Sequence, residues 1–245
     1  MDNDVLNAAL EYARRGWAVL PCRKKIPLTT RGVYDATTDE ATIRAWWRKW
    51  SYANVAIAAG ASRLVIVDCD EGGEESLQKY AEARGFSLLD FPRVRTKSGG
   101  AHYYMRVYQQ GLSPAVKILP GVDIRAGASY AIAPPSRDAE GVWRWELPPF
   151  TVPDAPKAIV ELLEKAPRVE TPPIDDKALI KPGVRNQALT AVAGALRRYG
   201  AGRMTIEHVL VVVARLACEN VEPMIRSREI TAIAKSVSRY TPKVR

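Results

Sequence analysis

The chain has 245 residues, 47% of them hydrophobic and 26% charged, a mix that excludes a disordered chain. Its longest apolar runs, residues 55–59 and 209–214, fall far short of the ~20 residues a bilayer span needs. The opening Met-Asp-Asn-Asp lacks a basic stretch followed by an apolar core, so a soluble, intracellular protein without a membrane partner is expected. The net charge is +9, and all of it lies in the tail: residues 177–245 hold 13 Lys and Arg against 4 Asp and Glu, while the rest of the chain balances at 23 of each. A small basic module behind a neutral larger one points to a polyanionic partner, most simply nucleic acid. Three scattered cysteines, Cys22, Cys69 and Cys218, with two histidines and no CxxC pair, argue against a disulfide framework and against structural zinc.

In chain order, the apolar spacing of Val5, Leu6, Ala9, Leu10 and Ala13 predicts a helix over 5–15, with Gly16 as its stop. A short strand over 17–20 follows, then a basic loop, Arg23-Lys24-Lys25-Ile26-Pro27. Thr38 or Asp39 caps a helix through Ile43, Trp46, Trp47 and Trp50, whose tryptophans read as packing residues rather than base-stacking ones. Strands are expected over 54–59 and 63–67, the second running into Asp68-Cys69-Asp70. Gly72-Gly73 breaks the chain before a helix over 74–84. Further strands are expected over 93–97, 102–107, 122–125, 130–133 and 143–145, and a helix over 155–165. The lack of regular strand–helix alternation predicts an α+β fold with a mixed or antiparallel sheet. After a Pro-containing linker the pattern becomes purely helical, over 186–199, 205–219 and 227–240, as in a small all-α bundle. The expected domains are therefore 1–168, a linker at 169–182, and 183–245.

Asp68-x-Asp70 is the feature richest in chemistry. Alternate residues of a strand share a face. Two carboxylates there repel, and a divalent cation such as Mg²⁺ or Mn²⁺ is the usual remedy. Asp123, in Gly121-Val122-Asp123-Ile124-Arg125, is a third candidate for a two-metal site, although pairing with Arg125 would equally explain it. Thr96-Lys97-Ser98-Gly99-Gly100-Ala101-His102 offers glycines that admit phosphates to the backbone, with Lys97 and His102 as added donors. It is no P-loop, because GK[ST] is missing.

The ordered set of motifs resembles the bifunctional primase–polymerase (Prim-Pol) domain of the archaeo-eukaryotic primase superfamily, common in phages and plasmids. The set is Gly16-Trp17, Lys24-Lys25-x-Pro27, Asp35-Ala36-Thr37-Thr38-Asp39, Ile43-x-x-Trp46-Trp47, Asp68-x-Asp70, Ser98-Gly99-Gly100-x-His102, Gly121-Val122-Asp123-Ile124-Arg125 and Pro134-Pro135-Ser136. The tail, with Gly183-x-Arg185-Asn186, Gly194-x-Leu196-Arg197-Arg198-x-Gly200 and Ser236-Val237-x-Arg239-Tyr240, resembles the helical primase C-terminal domain. The resemblance implies a DNA primase and DNA polymerase of phage or plasmid replication, working in a bacterial cytoplasm. It implies Asp68, Asp70 and Asp123 as ligands of two Mg²⁺ or Mn²⁺ ions, and His102 as a contact to the nucleotide's phosphates. Lys97, Ser98, Gly99, Gly100 and Arg125 complete the expected nucleotide site, with backbone N–H groups of Gly99 and Gly100 as donors. The expected partners are a single-stranded DNA template or primer, dNTPs or NTPs, and a helicase domain or subunit. The alternatives are a replication-initiation protein that binds DNA without synthesis, and a metal-dependent nuclease.

Overall fold

The structure is a computed structural model and describes residues 4–165, 185–218 and 229–239. The linker expected at 169–182 lies outside the described residues. The chain divides into two compact units, Met1–Arg168 and Val169–Arg245.

The first unit opens with α1 (Asp4–Arg14), whose chain is stopped by left-handed Gly16. β1 (Val19–Arg23) starts two residues later than expected. The basic loop is the turn of a hairpin into β2 (Ile26–Pro27), with Lys24 in the left-handed region. Asp39 caps α2 (Glu40–Lys49) by accepting a 2.7 Å bond from the Thr42 N–H. β3 (Asn54–Ala58) and β4 (Leu64–Cys69) lead to α3 (Gly73–Arg84). There follow β5 (Arg93–Arg95), β6 (Ala101–Arg106), β7 (Ala115–Leu119), β8 (Val122–Arg125) and β9 (Tyr130–Ile132). The unit closes with β10 (Arg137–Asp138), β11 (Gly141–Val142), β12 (Arg144–Leu147) and α4 (Lys157–Lys165).

All ladders between these strands are antiparallel. One sheet has the order β2-β1-β3-β9 and the larger one β12-β5-β6-β4-β8-β7. β4 is central to the larger sheet, and its alternation shows what each face does. Val65, Val67 and Cys69 enter a core shared with Leu77 and Ala81 of α3 and Ile159 and Leu163 of α4. Leu64 and Ile66 enter a different core, shared with α1, α2 and the smaller sheet. Each fully buried Leu or Ile contributes about 1.5–3 kcal/mol, so the two faces together hold β4 firmly. The next residue on the second face is Asp68. The aliphatic row thus ends in a carboxylate at the C-terminal end of the most central strand.

The tryptophans of α2 are packing residues as expected. Trp47 is buried and donates its indole N–H to the Ala53 carbonyl at 3.2 Å, and Trp46 and Trp50 pack against the same core. In the second unit α5 (Arg185–Arg198), α6 (Arg203–Ala217) and α7 (Glu229–Val237) enclose Leu189, Ala193, Ile206, Leu210, Ile233 and Ala234.

Candidate active site

Strand register builds the site. Asp68 of β4 lies opposite His102 of β6 on one side and opposite Asp123 of β8 on the other. Directly opposed residues of neighbouring strands share a face, so these three form one row across the sheet. Arg125, two residues beyond Asp123, falls on that face as well.

The row is tightly connected. Nε2 of His102 lies 3.3 Å from Oδ1 of Asp68. Arg125 donates to Oδ2 of Asp68 from Nη2 at 2.6 Å and from Nε at 3.1 Å. The same Nη2 reaches Oδ2 of Asp123 at 3.2 Å. The other oxygen of Asp123 accepts the Lys117 backbone N–H at 2.8 Å. Burial alone would raise the Asp68 carboxyl, but the His102 ring and the Arg125 guanidinium hold it well below the usual carboxylate range. His102 is buried, and its Nδ1 has no hydrogen-bond partner.

Asp70 stands apart from this row. It lies one residue past the end of β4 with its side chain exposed, and its backbone N–H donates to the Gly121 carbonyl at 2.9 Å. The chain there is close to that of the β7–β8 turn: a Cβ on Gly73 would sit 2.1 Å from the Gly121 oxygen. Among the described residues no group of three or more His, Cys, Asp or Glu side chains is gathered to hold a metal ion. The donors still suit a hard divalent cation in kind, because Asp68 and Asp123 are carboxylates on adjacent strands that already share one positive group, the Arg125 guanidinium.

The glycine-rich segment is the turn between β5 and β6. The Gly99 N–H donates to the Thr96 carbonyl at 3.1 Å and the Thr96 N–H to the Gly100 carbonyl at 2.8 Å. The Gly99 donor expected for phosphate is therefore engaged in the turn itself. Gly99 takes φ +87°, and a Cβ on Gly100 would meet the Cys69 carbonyl oxygen at 2.2 Å. Ser98 Oγ lies 3.2 Å from Thr96 Oγ1. Lys97 is not free for a phosphate here: its ammonium pairs with Asp138 at 2.6 Å and with Glu140, and lies 5.5 Å from the Trp143 ring. Sequence reasoning missed Arg95. Its guanidinium donates to the Gly99 carbonyl at 3.0 Å, bonds both oxygens of Glu146 at 3.0 Å, and bonds Glu74 at the start of α3. Arg95-x-Lys97 ahead of the glycines was the available signal.

These features define an α+β protein with antiparallel sheets, a carboxylate–histidine–arginine row on its central strands, and a helical C-terminal part. Residues 9–158 match the family described as bifunctional DNA primase/polymerase, N-terminal. Residues 177–243 match primase C terminal 1 (PriCT-1). The chain belongs to the bifunctional DNA primase/polymerase family, which makes it a primase/polymerase-type replication protein with DNA and nucleotides as implied substrates. Comparison with curated proteins gave no match. No described helix is long and apolar enough to cross a membrane.

Proposed function

We propose that the protein is a template-directed nucleotidyltransferase that starts and extends DNA strands in phage or plasmid replication. The observation that carries this reading is the register of β6, β4 and β8, which sets His102, Asp68 and Asp123 in one row within the matched primase/polymerase region. Asp68 and Asp123, with Asp70 at the strand end, would hold Mg²⁺ or Mn²⁺. When bound, two such ions activate a 3′-hydroxyl and neutralise the leaving pyrophosphate. Asp68 stays ionised at neutral pH because His102 and Arg125 stabilise its charge. His102 fixes the orientation of that carboxylate through its 3.3 Å contact. Arg125 offers a guanidinium for a phosphate oxygen at the edge of the row. The turn at Ser98, Gly99 and Gly100 brings backbone close to Cys69 and hence to the end of β4, where a triphosphate would lie.

The test is primer extension and de novo synthesis on a single-stranded template with Mg²⁺ or Mn²⁺, comparing wild type with Asp68→Ala. Metal-dependent strand growth in the wild type and none in the variant is expected. Growth unaffected by the variant removes Asp68 from the reaction. One observation favours a second reading, in which the chain binds DNA without synthesis: Arg125 already neutralises Asp68 and Asp123. That reading predicts DNA binding indifferent to Asp68 and no strand growth with either metal.

A further inference from the structure

The opposite end of the larger sheet carries a second concave surface. β4 begins at Leu64, which lies opposite Arg106, the last residue of β6. Asp68 lies four residues further along the strand from Leu64, roughly 13 Å away. A cavity of about 610 Å³ opens at this end, and a second of about 380 Å³ adjoins it, the two sharing Ala61, Arg63, Leu64 and Tyr108. Both volumes lie in the range of sites that take small ligands.

The lining has a consistent chemistry. Arg15, Arg63 and Arg106 line the larger cavity, and no Asp or Glu lines either one. Arg63 is exposed and, among the described residues, makes no salt bridge. Arg106 makes no salt bridge among them either; its guanidinium donates to the Tyr108 hydroxyl at 3.3 Å and feels the charge of Asp154, its neighbour across an isolated β-bridge. Two large aromatic rings border the opening, Tyr108 at 63% and Phe150 at 82% exposure. Arg15 is already paired with Glu11 at 2.8 Å, which leaves Arg63 and Arg106, neither of them salt-bridged among the described residues, to select an oxyanion, with phosphate geometry matched best. Exposed flat rings beside them select a planar base, because stacking is open to every base. An inorganic anion would use the arginines and leave the rings without a role.

We propose that this cleft binds a nucleoside phosphate, either free or as one unit of a single-stranded nucleic acid, with Arg63 and Arg106 on the phosphate and the base against Tyr108 or Phe150. It is a site separate from the Asp68 row. The experiment is photo-crosslinking of the full chain with two probes, 5-iodo-2′-deoxyuridine monophosphate and an eight-nucleotide DNA strand carrying the same base, followed by peptide mapping. Adducts are expected on peptides containing Tyr108 or Phe150. They should fall tenfold or more in the Arg63→Gln/Arg106→Gln double variant and persist in Asp68→Asn. Both arginines are exposed, so an unchanged melting temperature of the double variant verifies that its fold is kept. Adducts with the mononucleotide identify a free nucleotide as ligand, and adducts with the strand alone identify a unit of nucleic acid. Adducts absent from both peptides with both probes overturn the proposal. So do adducts that survive the double variant, that vanish in Asp68→Asn, or that inorganic phosphate displaces as well as the unlabelled nucleotide does.

Discussion

Asp68 and Asp70 are two residues apart in sequence and differ in almost every physical respect. Asp68 is held by a histidine and an arginine inside the sheet, whereas Asp70 is exposed past the strand end. A role in stability is thus open to the first and closed to the second. Asp70→Asn keeps the size and removes the charge. Strand synthesis should be lost with an unchanged melting temperature, and near-normal synthesis by this variant would take Asp70 out of the site. A second residue-scale expectation concerns Cys22, fully buried in β1, whose thiol burial pushes up to about 12. In the unfolded chain a thiol titrates near 8.5, so above that pH the unfolded state loses a proton that the folded state keeps. The stabilising contribution is complete below about pH 8.5 and is lost as pH rises toward 12. Cys22→Ala should therefore flatten the alkaline fall in unfolding free energy over that window, as denaturant titrations at several pH values would show. An equally steep fall in the variant would mean that other groups carry it.

At the scale of elements, α1 and α2 were legible from their apolar spacing, α3 from the Gly72-Gly73 break before it, and β4 and β6 from short β-branched or aromatic apolar runs, buried on both faces. The 122–125 strand was bounded correctly by a turn glycine and alternating Val122 and Ile124. β7 was missed: its exposed Val116 and left-handed Lys117 interrupt the alternation, and its ladder with β8 shifts register. β10 and β11 are two residues each, too short to show a period, yet their hairpin carries the Asp138 and Glu140 that hold Lys97. The pairing of Asp123 with Arg125 was readable, being i,i+2 on one strand. The contact of Asp68 with His102 was not, because it depends on the register of two strands that sequence leaves free to slide. Arg95 belongs to the same scale, since it ties β5 to β12, α3 and the glycine turn at once. Arg95→Met should lower stability by about 1–3 kcal/mol through the charged partners left behind. It should also weaken nucleotide affinity more than template affinity, since the turn loses its anchor at Gly99. Denaturant titration and separate equilibrium binding of dNTP and single-stranded DNA test both parts. Equal weakening of the two ligands would mean that Arg95 supports the fold without positioning the turn.

For the whole molecule, charge and core are distributed in opposite ways. The first unit has two cores of its own and 23 Lys and Arg against 20 Asp and Glu, whereas the helical unit has a small core and, over residues 177–245, 13 Lys and Arg against 4 Asp and Glu. The carboxylates able to hold metal and the densest run of positive charge therefore sit in different units, and removal of residues 177–245 separates them. The remaining 1–176 keeps both cores on the faces of β4 and should fold. Its affinity for DNA should lose much of its salt dependence, since each phosphate contact removed lowers the slope of log K against log salt by about 0.7 on single strands and about 0.9 on duplex. Extension of an existing primer needs the Asp68 row and a duplex end, both of which remain. Starting a strand has no duplex end to grip, and so depends more on a second hold on template or first nucleotide. De novo synthesis should accordingly fall much further than primer extension when the two are compared in the truncated and full chains. A truncation that lowers both to the same extent, or neither, would show that the helical unit contributes nothing particular to initiation.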